Sequence, residues 1–196
     1  KGLQSPVKGT IPPGTTPERG ARVVSNQLYF PPEDMLAAFR DTALARSLDT
    51  DTLHLFSYMM PETYFVYWLT DAESFVRKVK GEFDQFFTPE MRAQAESQNL
   101  SIADVVSVAS IVEWETNHVD EKPDVAGVYL NRLRKRWRLD ADPTVQYALL
   151  QTEGARRRLF FRDYKIEHPY NTYTFRGLPP GPVTTPSPSS IKAVLQ

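Results

Sequence analysis

Apolar residues recur so densely between Leu100 and His118 that the stretch LSIADVVSVASIVEWETNH describes an enclosed helix. At about 100° per residue, Ile102, Val105, Val106, Ala109 and Val112 fall on one side and Val108 and Ile111 on the other. Only a narrow strip with Ser107, Ser110 and Trp114 is left between them. A helix apolar nearly all round is covered by other elements, so this one is expected at the centre of the fold, over about 101–118. Its last full turn carries two carboxylates, Glu113 and Glu115, which point in roughly opposite directions. Burying an ionised carboxylate is costly unless it is paired or protonated. Two readings follow: a carboxyl group in an apolar pocket with a raised pKa, suited to general acid work, or glutamates in a solvated last turn or paired with arginines.

Around this helix the pattern predicts further helices and little sheet. Residues 1–15 form a loose lead-in with one short strand near Val7–Ile11, and Thr16-Pro17 starts a helix running to about Gln27. Pro31-Pro32-Glu33-Asp34 opens a second, with Met35, Leu36, Phe39, Leu44 and Leu48 as its apolar stripe. The aromatic segment Leu53–Leu69, broken by Pro61, predicts an irregular, strand-containing piece. Its aromatics, with Glu62 and Thr63 between them, are either core or the lining of a sugar cleft; lone His54 is read as packed or at the surface. Thr70 and Glu73 have capping-box spacing ahead of Phe75, Val76, Val79, Phe83 and Phe86. Thr88-Pro89 then opens a helix through Gln98, and Ser101 with Asp104 begins the central one. A further helix from about Pro123 to Trp137 turns Val125, Val128, Tyr129 and Leu133 inward, and Asp142-Pro143-Thr144 opens another through Leu150. Arginines cluster at 132–138 and 156–162, either solvated or set to meet an anionic substrate or the central carboxylates. Tyr170 to Ser190 is a proline- and glycine-rich loop with Tyr170, Tyr173, Phe175 and Leu178 to bury, and so is expected to be functional. The fold class is therefore α+β and predominantly helical.

Composition narrows the function classes. With 23 basic and 24 acidic residues in 196, nothing calls for nucleic acid. The absence of cysteine excludes disulfides and thiolate metal sites. No Gly-rich phosphate loop and no His/Asp cluster with metal spacing occurs, so neither metal nor cofactor is expected. No apolar run is long enough to span a membrane. The chain opens at Lys1 and stops at Gln196 inside a predicted helix, as expected of a fragment.

Five ordered motifs over roughly residues 57–195 resemble the endolytic murein (lytic) transglycosylases of the YceG-like, MltG type. They are Ala109-Ser-Ile-Val-Glu-Trp-Glu-Thr116, Val128-Tyr-Leu-Asn-Arg-Leu133, Leu139-Asp-Ala-Asp-Pro-Thr-Val-Gln-Tyr147, Tyr170-Asn-Thr-Tyr173 and Gly177-Leu-Pro-Pro-Gly-Pro182. Met60-Pro-Glu-Thr-Tyr64 resembles the family segment upstream of the central helix. Residues 1–50 resemble it only loosely, like the end of a LysM-like module, with a YceG-like catalytic domain over 51–196 that is truncated at its C-terminus. The resemblance implies a lyase that cuts peptidoglycan glycan strands internally between N-acetylmuramic acid and N-acetylglucosamine, leaving a 1,6-anhydro end. It makes the second glutamate of the E-x-E-T signature, Glu115, the catalytic acid and base. Asn131, Asp142, Thr144, Gln146, Tyr147, Asn171 and Tyr173 are expected to line the cleft. Glu113, paired with Arg132 or Arg134, and Glu62 are expected to be structural. Trp114, Asp140, Thr185 and Ser187 depart from the family pattern. Also implied are peptidoglycan synthases as partners and a place on the outer face of the cytoplasmic membrane or in the periplasm, single-pass anchored through a segment outside this chain. Two alternatives stay open: a lysozyme-like hydrolase, and a non-catalytic glycan-binding scaffold of the wall-synthesis machinery.

Overall fold

The computed structural model describes residues 5–196; the first four residues of the expected lead-in lie outside it. Strand β1 (Val7–Thr10) is followed by helices α1 (Pro17–Ser25), α2 (Pro32–Arg40) and α3 (Thr42–Ser47), then by strand β2 (Thr63–Val66). The remaining helices are α4 (Ala72–Phe86), α5 (Pro89–Ser97), α6 (Ile102–Glu115), α7 (Lys122–Arg134), α8 (Asp142–Glu153) and α9 (Pro188–Leu195). The α+β, mainly helical class is thus observed. β1 and β2 pair antiparallel with Val7 opposite Val66, forming a two-stranded ribbon far apart in sequence. Along β2, Tyr64 and Val66 are buried and Phe65 faces out, the period of two expected of a strand with one covered face. Gly9 sits where β1 crosses Phe75; a Cβ there would meet the ring at 2.9 Å.

Apolar packing forms two clusters. One holds Ile11, Val24, Met35, Phe39, Leu55, Tyr64, Phe75 and Val79. The other holds Phe83, Phe87, α6, Leu139, Val183 and α9. α4 passes from the first to the second, so residues 51–79 pack with the preceding segment even though the motif resemblance begins among them.

α6 begins at Ser101 as expected, and does so with a capping box: Ser101 Oγ accepts from the Asp104 amide and the Asp104 carboxylate accepts from the Ser101 amide. Every residue from Val105 to Val112 is buried, which matches the all-round apolar pattern. The helix stops at Glu115, three residues before the expected His118, because Thr116 turns to extended backbone. Buried Ser110 donates to the Ser107 carbonyl and accepts from the Val183 amide, which fixes the proline-rich loop to the helix. That loop in turn exchanges backbone hydrogen bonds with the N-terminal segment, Gly14 to Thr185 and Thr185 to Thr15. Its central residues are buried, although Phe175, expected inside, is exposed.

Local corrections have local causes. The helix expected from Pro31 to Leu48 is two, because Asp41 adopts extended backbone and its carboxylate caps α3 through the Ala43 and Leu44 amides. The aromatic segment 53–69 is only half core: Leu55, Phe56, Met59 and Tyr64 are buried, whereas Tyr67, Trp68 and Leu69 are exposed. Val128 on α7, expected inside, faces solvent. The N-cap of α4 is Asp71, which accepts from the Ser74 amide, and not Thr70. An N-cap of this kind contributes about 1 kcal/mol. Asp71→Ala is therefore expected to lower the unfolding free energy by about that amount in a denaturant titration, and Thr70→Ala to leave it unchanged within error.

Candidate active site

The last turn of α6 gives its two glutamates opposite fates. Glu113 points into the protein, where its Oε2 accepts from Lys122 Nζ (3.0 Å), the Ser187 amide (2.9 Å), Ser190 Oγ (2.6 Å) and Ser187 Oγ. Lys122, at the start of α7, is almost fully buried and also donates to Ser187 and Ser189. Burial pushes the Glu113 pKa up, but the donors from Ser187, Ser190 and Lys122 outweigh it and the carboxyl ends below its ordinary value. The partner is therefore a lysine and not Arg132 or Arg134. Arg132 instead bridges Asp140 (2.9 Å) and caps the Leu139 carbonyl. Lys122 carried no sequence signal because its pairing spans nine residues through a turn, and Ser187 and Ser190 come from the far end of the chain.

Glu115 is exposed. It does not sit in the apolar pocket that a buried-acid reading expects. Its Oε1 accepts a hydrogen bond of 2.5 Å from the phenol of Tyr129 in the middle of α7. Tyr129 is buried, and burial followed by the Glu115 hydrogen bond raises its pKa well above the usual phenol value, so it stays a donor. The inward-facing pattern of α7 found Tyr129 as core; a buried tyrosine needs a partner for its hydroxyl, and that was the signal for this contact.

A strip of two phenols and a carboxylate forms around Asp142. Tyr173 Oη donates to Asp142 Oδ1 (2.7 Å), Tyr164 donates to Asp142 Oδ2 (3.3 Å), and the two rings pack 4.6 Å apart. Tyr173 also adds, as the smallest cause, to the raised pKa of Tyr129. Of the predicted cleft residues, Asp142, Tyr173 and exposed Asn131 thus keep polar atoms at the surface.

Others are internal. Thr144 is fully buried and bonds to Ala141 and Thr172. Asn171, equally buried, donates to the Tyr164 and Ile166 carbonyls and accepts from the Tyr173 amide. The sequence expects both to line the cleft; here every polar atom of their side chains is engaged inside the protein. Asn171 holds Tyr164 and Tyr173 in place and so acts on the strip at one remove. Gln146 donates to the Arg157 carbonyl. Tyr147 packs on Tyr170, accepts from Gln151 and faces a separate cavity of about 360 Å³ shared with α1 and α2. Glu62 is exposed and its carboxylate accepts from the Thr63 amide at the head of β2. The larger cavity, about 1080 Å³, lies between α5, α7 and α9 and touches neither glutamate. Among the described residues no group of acidic or histidine side chains is arranged to hold a metal ion, and no helix is long and apolar enough to cross a membrane.

A mainly helical fold with one open glutamate at the end of its buried helix is the class this geometry defines. The model of the YceG-like family matches residues 1–196, and the chain belongs to that family. A crystal structure of a putative YceG-like protein from Listeria monocytogenes superposes with a TM-score of 0.85 at 27% identity, covering 97% of this chain and 66% of that one. The endolytic murein transglycosylase of Bacillus subtilis is 26% identical over 201 residues, 95% of this chain and 55% of that protein. The protein of the same name from Streptococcus pneumoniae serotype 2 is 31% identical over 139 residues, 69% of this chain and 25% of that protein. The chain therefore spans about half the length of the Bacillus relative and a quarter of the pneumococcal one.

Proposed function

We propose that this chain carries the catalytic site of an endolytic lytic transglycosylase, a lyase acting on peptidoglycan, with Glu115 as its acid and base. The observation that supports this choice is the contrast within one helical turn. Glu113 Oε2 has its acceptor capacity filled by buried donors, whereas Glu115 is exposed, with Oε1 fixed by Tyr129 and Oε2 left for substrate. The names of the relatives point the same way. The reading carries with it a location in the bacterial cell envelope, where the glycan lies.

In the first half of the reaction Glu115 gives its proton to the oxygen linking N-acetylmuramic acid to N-acetylglucosamine, and the C1–O bond breaks as oxocarbenium character develops. In the second half the same carboxylate takes the proton of the sugar's own C6 hydroxyl as O6 bonds to C1. The proton returns to Glu115, no water is consumed, and a second carboxylate nucleophile is unnecessary. Tyr129 keeps one carboxylate oxygen engaged throughout, which holds the other in a fixed direction. Asp142, Tyr164, Tyr173 and Asn131 offer hydrogen bonds and aromatic faces for the sugar.

Mass spectrometry of products from purified peptidoglycan tests the reaction type. Anhydro-ended fragments lighter by one water support it; fragments at the hydrolytic mass turn the assignment to a lysozyme-like hydrolase. Tyr129→Phe removes a hydrogen bond to a charged group, worth about 1.5–3 kcal/mol. It is expected to lower kcat about ten- to a hundredfold with little change in KM, measured by steady-state release of fragments.

A further inference from the structure

Trp114 lies between the two glutamates in sequence, and its indole carries an unusual load. The guanidinium of Arg156, from the loop after α8, stacks on it with its central carbon 3.6 Å from the ring centroid. The stack fixes the direction of a side chain that is otherwise highly flexible. Its neighbour Arg157 is fully engaged, bridging Glu153 and buried Asp163. Asp163 also accepts from the Phe160 amide, and these donors hold its pKa at about 2, so the loop that carries Arg156 is tied down by an ionised carboxylate. Arg156 itself has no carboxylate within ion-pair distance among the described residues. What it has nearby is another cation. Burial, and then the guanidinium of Arg19 on α1, pull Arg156 below the ordinary arginine value. A guanidinium fixed by stacking and left without a counter-charge presents a positive field that an arriving anion relieves.

We infer that Trp114 and Arg156 form an anion-recognition site beside Glu115 that takes a carboxylate of the peptide stems carried on the glycan. The inference rests on the transglycosylase reading, because that reading supplies the substrate. On a stem-bearing strand the lactyl carboxyl of N-acetylmuramic acid is tied up in the amide to the stem, and the free carboxylates lie out along the stem. Stripping by an amidase instead frees a carboxylate against the sugar ring, so a guanidinium stacked on the residue next to the acid distinguishes the two strands by where their negative charge sits. Arg156 is a specificity residue in this view and takes no part in proton transfer. Its planar fork matches a carboxylate bidentately.

The test is a binding measurement on the Glu115→Gln protein, where turnover does not interfere. Purified glycan strands that keep their stems are compared with strands stripped by an amidase. Arg156→Gln is expected to weaken binding of stem-bearing strands about tenfold and to flatten its salt dependence, with the melting temperature unchanged. Binding of stripped strands is expected to change by less than about twofold. Arg156→Lys, which keeps the charge but loses the fork, is expected to fall between. Equal weakening for both strand types, or no weakening for either, overturns the site. Failure of the transglycosylase reading is seen separately, as the absence of anhydro products from the unsubstituted protein.

Discussion

Glu115→Gln is expected to lower the release of anhydro-ended muropeptides on the order of a thousandfold, with the melting temperature of the protein unchanged. The size follows from the double duty assigned to one group. An amide has no proton to give to the glycosidic oxygen and cannot take one from the C6 hydroxyl, so both halves of the reaction lose their catalyst. The neutrality of the fold follows from exposure: the side chain is open to solvent and its hydrogen bond is with Tyr129 alone among the described residues. Glutamine keeps an oxygen to accept that bond. Chromatography and mass spectrometry of digested peptidoglycan, alongside a thermal melt, read both quantities. Undiminished product from the variant would remove Glu115 from the mechanism. Inactivity in both proteins, with retained glycan binding, would favour the scaffold alternative.

Glu113→Ala is expected to do the reverse and strike the fold. The substitution leaves Lys122 buried without its counter-charge and strips Ser187 and Ser190 of their acceptor. Breaking a buried pair from one side costs about 3–5 kcal/mol, a large share of the roughly 5–15 kcal/mol that holds a domain folded. Replacing both partners, Glu113→Leu with Lys122→Met, removes the stranded charge and is expected to recover much of that loss. The pair also sets an acid limit. The folded pKa of Glu113 lies below its ordinary value of 4.5, so its contribution is complete above that value and is lost as pH falls through the lower, folded one. Denaturant midpoints of the natural protein and the double variant, followed between about pH 3 and pH 7, check this. The natural protein should lose more stability on the acid side, and parallel curves would contradict the assignment of charge to Glu113.

These two outcomes also separate what sequence and structure each contribute. The all-round apolar pattern of residues 102–112 fixes a buried helix, since nothing else covers so many branched side chains at a period of 3.6. Ser101 with Asp104, Thr88-Pro89 and Thr16-Pro17 fix where helices start, because a cap is a contact between residues three apart and is written within the sequence. The ordered motifs bring the family and its reaction into view, and with them Glu115. Where two caps compete at adjacent positions, as Thr70 and Asp71 do, the spacing alone does not choose between them.

Partnership across the fold is a different matter. That Glu113 meets Lys122 and two serines of the proline-rich loop, that Glu115 meets Tyr129, and that Asn171 and Thr144 turn inward while Asp142 and Tyr173 stay at the surface, depends on how α6, α7 and two distant loops close on one another. Such contacts join residues separated by anything from five to seventy-seven positions, and no local periodicity encodes which of them meet. Helix phase tells that two carboxylates diverge. Only the packing of their neighbours decides that one is held by buried donors and the other is left open to solvent.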